Sequence, residues 1–120
     1  MNLNKAINYI SKFIKDNPKV CIILGSGLDN FTKLISDKII IPYDEIPTFY
    51  KTSVEGHKGE FIYGTINNVP TLCAKGRFHY YEGYTFKQVG SLIEIFNHFN
   101  PNLSIITNSS GCLNIDWDIG

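Results

Sequence analysis

An α/β fold, a mixed β-sheet flanked by helices, is predicted by three features of the sequence. Short apolar runs of strand length alternate with longer stretches whose apolar residues recur at helical spacing. Two of those runs are separated only by Asn67-Asn68, a hairpin turn that makes the sheet mixed rather than purely parallel. Polar loops rich in Gly and Ser, or in Arg, His and Tyr, follow three of the runs at their carboxyl ends.

From the amino terminus, Leu3, Ala6, Ile7, Ile10, Phe13 and Ile14 recur at three- and four-residue steps, so residues 3–16 are predicted helical. Asn17-Pro18 stops this helix, because a residue before proline is pushed out of the helical region. The unbroken apolar run 19–24 reads as a strand buried on both faces. Gly25-Ser26-Gly27 follows, then a short helix over Leu28 to Ile35 and a strand over Lys38 to Ile41. Residues 48–59 read as a loop, and 60–66 and 69–75 as the two strands of the hairpin. Thr85 and Gln88 form a capping box ahead of Phe86, Val89, Leu92, Ile93, Phe96 and Phe99, which recur at helical spacing. Asn100-Pro101 ends that helix, Leu103 to Thr107 is the last strand, and Asn108-Ser109-Ser110-Gly111 is a turn.

A chain of 120 residues buries about two thirds of its unfolded surface, enough for a core without disulfide or metal staples. With 43% hydrophobic and 18% charged residues, the composition excludes a disordered chain. Eleven basic and eleven acidic residues cancel, which removes the electrostatic footprint of a nonspecific nucleic-acid or membrane-surface binder. No apolar run is long enough to span a bilayer, and the first ten residues are too polar for a secretory signal. Cys21, Cys73 and Cys112 are an odd number without CxxC spacing, so reduced thiols and a cytoplasmic location are expected. Lysine supplies ten of the eleven basic residues, which makes the position of the single arginine, Arg77, informative.

Taken alone, each polar loop has a bland reading beside a functional one. Gly25-Ser26-Gly27 is either a tight strand–helix turn or a place where backbone and a helix N-terminus approach an anion; it fits neither the P-loop nor the dinucleotide fingerprint. His57, between Gly56 and Gly59, is either an exposed loop histidine or a site residue. Arg77 and His79 stand two apart beyond a strand end, where alternation places both on one side to grip one anion and turns Phe78 into the core. Tyr81, Glu82 and Tyr84 follow at once; the bland alternative is a solvated polar loop with one aromatic anchor. In open α/β sheets ligands bind beyond the carboxyl ends of strands, so convergence of the three loops is the stronger indication. The His and Cys residues have no metal-ligand spacing, His98 is expected at the surface, and Cys21 and Cys73 in the core.

The segments 23–28 (Ile-Leu-Gly-Ser-Gly-Leu), 45–47 (Glu-Ile-Pro), 54–59 (Val-Glu-Gly-His-Lys-Gly), 76–84 (Gly-Arg-Phe-His-Tyr-Tyr-Glu-Gly-Tyr) and 107–111 (Thr-Asn-Ser-Ser-Gly), in this order, resemble the trimeric class of purine nucleoside phosphorylases. The resemblance implies that Ser26, His57, Arg77, His79 and the backbone of Ser109 bind phosphate. It implies that Tyr81 lies against the ribose, that Glu82 organises phosphate and its neighbours, and that Gly111 approaches the nucleoside, with His79 and Glu82 the catalytic pair. Inorganic phosphate is then the co-substrate, with no metal or other cofactor, a purine nucleoside the partner, and a homotrimer the assembly. The sequence departs from that pattern at Asp29, Tyr50, Ser109, Ser110 and Cys112. Family members are more than twice as long, so residues 1–120 are expected to be the N-terminal part of one such domain, truncated before the base-recognising residues. Two alternatives stay open at this point: a catalytically silent chain that keeps only the phosphate loops, and an anion-binding module unrelated to nucleosides.

Overall fold

The computed structural model describes residues 1–51 and 59–120. Among them, helix α1 (Leu3–Ser11) is followed by β1 (Val20–Leu24), β2 (Ser36–Pro42), β3 (Glu60–Ile66), β4 (Val69–Lys75), helix α2 (Phe86–Phe99) and β5 (Leu103–Ile106). Short 3-10 turns occupy Asp29–Leu34, Tyr43–Glu45 and Tyr80–Glu82.

The strands form one mixed sheet in the order β2-β3-β4-β1-β5. β2, β3 and β4 pair antiparallel, while β1 pairs parallel with both β4 and β5. The β3–β4 hairpin turns on Asn67 and Asn68, at φ 47° and 64°, a conformation that Asn tolerates better than most residues and that suits the twist of the flanking strands.

Period-2 alternation divides the apolar side chains between the two faces of the sheet. Cys21, Ile23, Phe61, Tyr63, Leu72 and Ala74 join Ala6, Ile7 and Ile10 of α1 and Leu92, Ile95, Phe96 and Phe99 of α2 in the main core. Ile22, Leu24, Ile62 and Cys73 point the other way, where Ile35 and the half-buried Phe31 pack against them. Helix α2 begins at the predicted capping box: the Thr85 side chain accepts from the Gln88 N–H, and the Gln88 side chain accepts from the Thr85 N–H. Asn100 closes it in the left-handed conformation.

Three expectations about element limits need correction. α1 ends at Ser11 because residues 12–14 tighten into i→i−3 turns, Lys12 N–H to Tyr9 O, Phe13 N–H to Ile10 O and Ile14 N–H to Ser11 O. β2 starts at Ser36 and carries an irregularity at Asp37, φ 52°, so its polar start hid it from the hydrophobic pattern. The segment after Gly27 is a six-residue 3-10 turn with Asp29 in its first turn and no side-chain cap. A 3-10 turn thus stands where the sequence suggested a short helix, whichever of the two readings of Gly25-Ser26-Gly27 applies.

Candidate functional site

The topology decides where the polar loops meet. β4, β1 and β5 are parallel neighbours, and the registers Leu24 to Lys75 and Ile23 to Ile106 bring their carboxyl ends level. Gly25–Gly27, Gly76–Glu82 and Thr107–Gly111 therefore leave one rim of the sheet side by side. Strand order is absent from the sequence, so the convergence expected there is a finding of the fold.

At the end of β4 the chain turns through Gly76, φ 91°. A Cβ on this residue would stand 3.1 Å from the Gly59 Cα, so the turn needs glycine both for its dihedral and for its space. Tyr43 donates its hydroxyl proton to Gly76 O at 2.8 Å. Burial, with a smaller contribution from the Glu60 charge, pushes the Tyr43 phenol well above its ordinary 10.0, so the donor stays protonated.

Beyond the turn, Phe78 is buried in the main core, while Arg77 and His79 lie half-buried on the opposite side. Arg77 Nη1 donates to Thr107 O at 2.7 Å and Arg77 Nε to His79 Nε2 at 3.3 Å. With Nε2 accepting, the imidazole proton sits on Nδ1 and is donated to Glu82 Oε2 at 2.9 Å. The same carboxylate oxygen accepts the His79 backbone N–H at 3.1 Å. Tyr81, 83% exposed, lays its ring on His79 with centroids 4.8 Å apart and planes 21° apart. The result is a directed chain, Thr107 O, Arg77, His79, Glu82, that fixes one ring and one guanidinium. A guanidinium has five N–H donors, and these bonds to described residues use two of them. Tyr80, Tyr81, Gly83, Tyr84 and Thr85 line an open depression beside it.

Of the residues singled out in the sequence, Arg77, His79, Tyr81 and Glu82 are thus brought together. Ser26 is exposed in the turn after β1, and Ser109 and Gly111 are exposed in the segment after β5. His57 and the loop around it lie outside the described residues, apart from Gly59. Among the described residues, no group of three or more His, Cys, Asp or Glu is placed to hold a metal ion. Thr107 and Tyr43 shape the site without having been marked in the sequence as site residues. A hydroxyl at a strand end and a Tyr in a core pattern were the available signals, and neither is specific.

Loops at the carboxyl ends of parallel strands thus meet at one rim of a mixed α/β sheet, one of them bearing an arginine bonded to a histidine that in turn pairs with a carboxylate. The chain belongs to the phosphorylase superfamily, whose family model matches residues 19–120. It is 36% identical over 119 residues to purine nucleoside phosphorylase 1 of Geobacillus stearothermophilus, covering 96% of this chain and 43% of that one. A Schistosoma mansoni purine nucleoside phosphorylase solved with inosine superimposes with a TM-score of 0.88 at 36% identity, over 99% of this chain and 41% of that one. A purine nucleoside phosphorylase solved with ribose-1-phosphate matches with a TM-score of 0.88 at 34% identity, over 99% of this chain and 44% of that one. The resemblance and the mixed-sheet fold expected from the sequence are borne out. The chain spans less than half the length of these relatives.

Proposed function

We propose that this chain carries the phosphate side of a purine nucleoside phosphorylase site, and that the protein it forms cleaves inosine- or guanosine-type nucleosides to free base and ribose 1-phosphate. In that reaction the C1′–N bond breaks as a C1′–O bond to phosphate forms. The bonding pair leaves with the purine, which takes up the proton released by hydrogen phosphate. The transition state resembles an oxocarbenium ion, so a phosphate held beside C1′ is at once nucleophile and counter-charge.

The observation that supports this reading best is the Arg77–His79–Glu82 chain anchored on Thr107 O at the meeting of three strand ends. Arg77 binds the anion through its planar fork. His79, oriented through Nδ1 by Glu82, accepts the O–H of hydrogen phosphate at Nε2 when Arg77 Nε moves from the ring to the anion. Ser26, His57 and the Ser109 backbone complete the phosphate shell. The exposed Tyr81 ring offers a face to the ribose, and Gly111 lets the nucleoside approach. Phosphate is the only co-substrate in this scheme, without a metal, in a homotrimer in the cytoplasm; the described residues contain no helix long and apolar enough to cross a membrane.

Phosphate-dependent release of hypoxanthine from inosine by the protein that carries this chain is the expected result. An absence of such release with inosine, guanosine and adenosine alike would overturn the proposal. Phosphate binding by the 120-residue chain without any turnover favours the silent-chain alternative for the chain itself, because the rim is present either way.

A further inference from the structure

The site contains one residue through which all three loops are tied together, and the reaction chemistry does not use it directly. Thr107 follows the last residue of β5. Its hydroxyl donates to Ile23 O at 2.8 Å and accepts the Gly25 N–H at 2.7 Å. Its backbone N–H donates to the same Ile23 O at 3.1 Å, and its carbonyl accepts from Arg77 Nη1 at 2.7 Å. Gly25 is buried, and a Cβ on it would stand 3.3 Å from Thr107 O and 3.2 Å from the Asn108 Cα. The backbone after β1 therefore rests directly against the backbone after β5.

The geometry points to Thr107 as the positioning residue of the phosphate site, an inference that rests on the proposed phosphorylase function. Its hydroxyl sets the direction in which the Gly25–Gly27 turn leaves β1, and through the shared backbone it holds the carbonyl on which the Arg77 fork is braced. Threonine suits this position because two heavy atoms on Cβ stiffen χ1, so the hydroxyl is held between Ile23 O and Gly25 N–H. Removing the oxygen leaves the buried Gly25 N–H without its acceptor, and the loop must move to find water. That movement displaces Asn108 and the Thr107 carbonyl with it, and the guanidinium loses its brace.

The test uses the 120-residue chain, in which Arg77 is the only arginine, so its Nε–H gives a single side-chain signal in a nitrogen–proton correlation spectrum. That proton is donated to His79 Nε2 from the same guanidinium whose Nη1 is braced on Thr107 O. Its exchange with water therefore reports how firmly the guanidinium is held without phosphate, and its shift on adding inorganic phosphate reports binding. Thr107→Val, nearly the same shape without the hydroxyl, is expected to speed Arg77 Nε–H exchange and weaken phosphate binding about tenfold. Thr107→Ser, which keeps the oxygen, is expected to restore binding to within about threefold of the unaltered chain. Slow exchange of the buried β3 and β4 amides checks that the sheet is intact in both variants. Unchanged Arg77 exchange in Thr107→Val would overturn the inference, as would Thr107→Ser behaving like Thr107→Val over an intact sheet. A chain whose Arg77 is loosened by Thr107→Val but never responds to phosphate would overturn the phosphate reading instead.

Discussion

The core and the rim of this sheet are built by different means. In the core, Phe61, Leu72, Ala74, Leu92, Ile95 and Phe96 are fully buried and interact through packing, so stability there is a matter of volume filled. At the rim, a handful of hydrogen bonds between 2.7 and 3.3 Å hold half-exposed polar groups over that core. Phe78 joins the two regions, since it is buried between the rim residues Arg77 and His79 and packs on Tyr43 with ring centroids 5.9 Å apart. A site can thus be rearranged without unfolding the sheet, whereas the sheet cannot be loosened without moving the site.

Phe96→Ala is the strongest test of that asymmetry. The ring is wholly buried and meets Phe61 with centroids 6.4 Å apart. Its truncation is expected to cost about 3–5 kcal/mol of unfolding free energy, read from the denaturant midpoint. Tyr81→Ala, at the exposed rim, is expected to change stability by less than about 0.5 kcal/mol. Comparable losses for the two would erase the distinction.

Arg77→Lys sharpens the same comparison from the other side. Lysine keeps the charge but cannot brace on Thr107 O and His79 Nε2 while presenting a planar fork to an anion. Phosphate affinity is expected to fall about tenfold while the denaturant midpoint stays within the usual surface range. Phosphate binding that does not change would remove Arg77 from the proposed role.

The two regions were also unequally legible in the sequence. Core elements came from local pattern: the capping box at Thr85 and Gln88 and the apolar period behind it marked α2, and Asn67-Asn68 marked the hairpin. The pattern failed where apolar residues continue past the regular element, as Phe13 and Ile14 do beyond α1, or where a strand starts polar, as β2 does at Ser36. For the rim, the density of Arg, His, Tyr and Glu over 77–82 was readable, and so was the placement of Arg77 and His79 on one side of Phe78. The brace on Thr107 was not, because it depends on β5 lying next to β1 rather than at some other edge of the sheet. Hydrogen bonds between residues 30 and 82 positions apart follow from strand order, and no local period encodes that.

The three cysteines give the mildest version of the comparison. Burial pushes the Cys21 thiol up from 9.0 to about 12, with a smaller contribution from Cys73, and burial does the same to Cys73. Cys112 lies exposed past the rim. Only thiolates attack a disulfide reagent, so at neutral pH Cys112 is expected to react rapidly and the other two only after denaturant is added. The same shifts fix a pH dependence. Between pH 9 and about 12 the unfolded chain has released thiol protons that the folded chain still holds at Cys21 and Cys73. Stability from these groups is therefore complete below pH 9 and declines as pH rises through that window, and the denaturant midpoint should follow it down. Rapid reaction of all three thiols in the native chain would mean that the strands at Cys21 and Cys73 open as readily as the rim, and the difference between the two regions would be one of position alone.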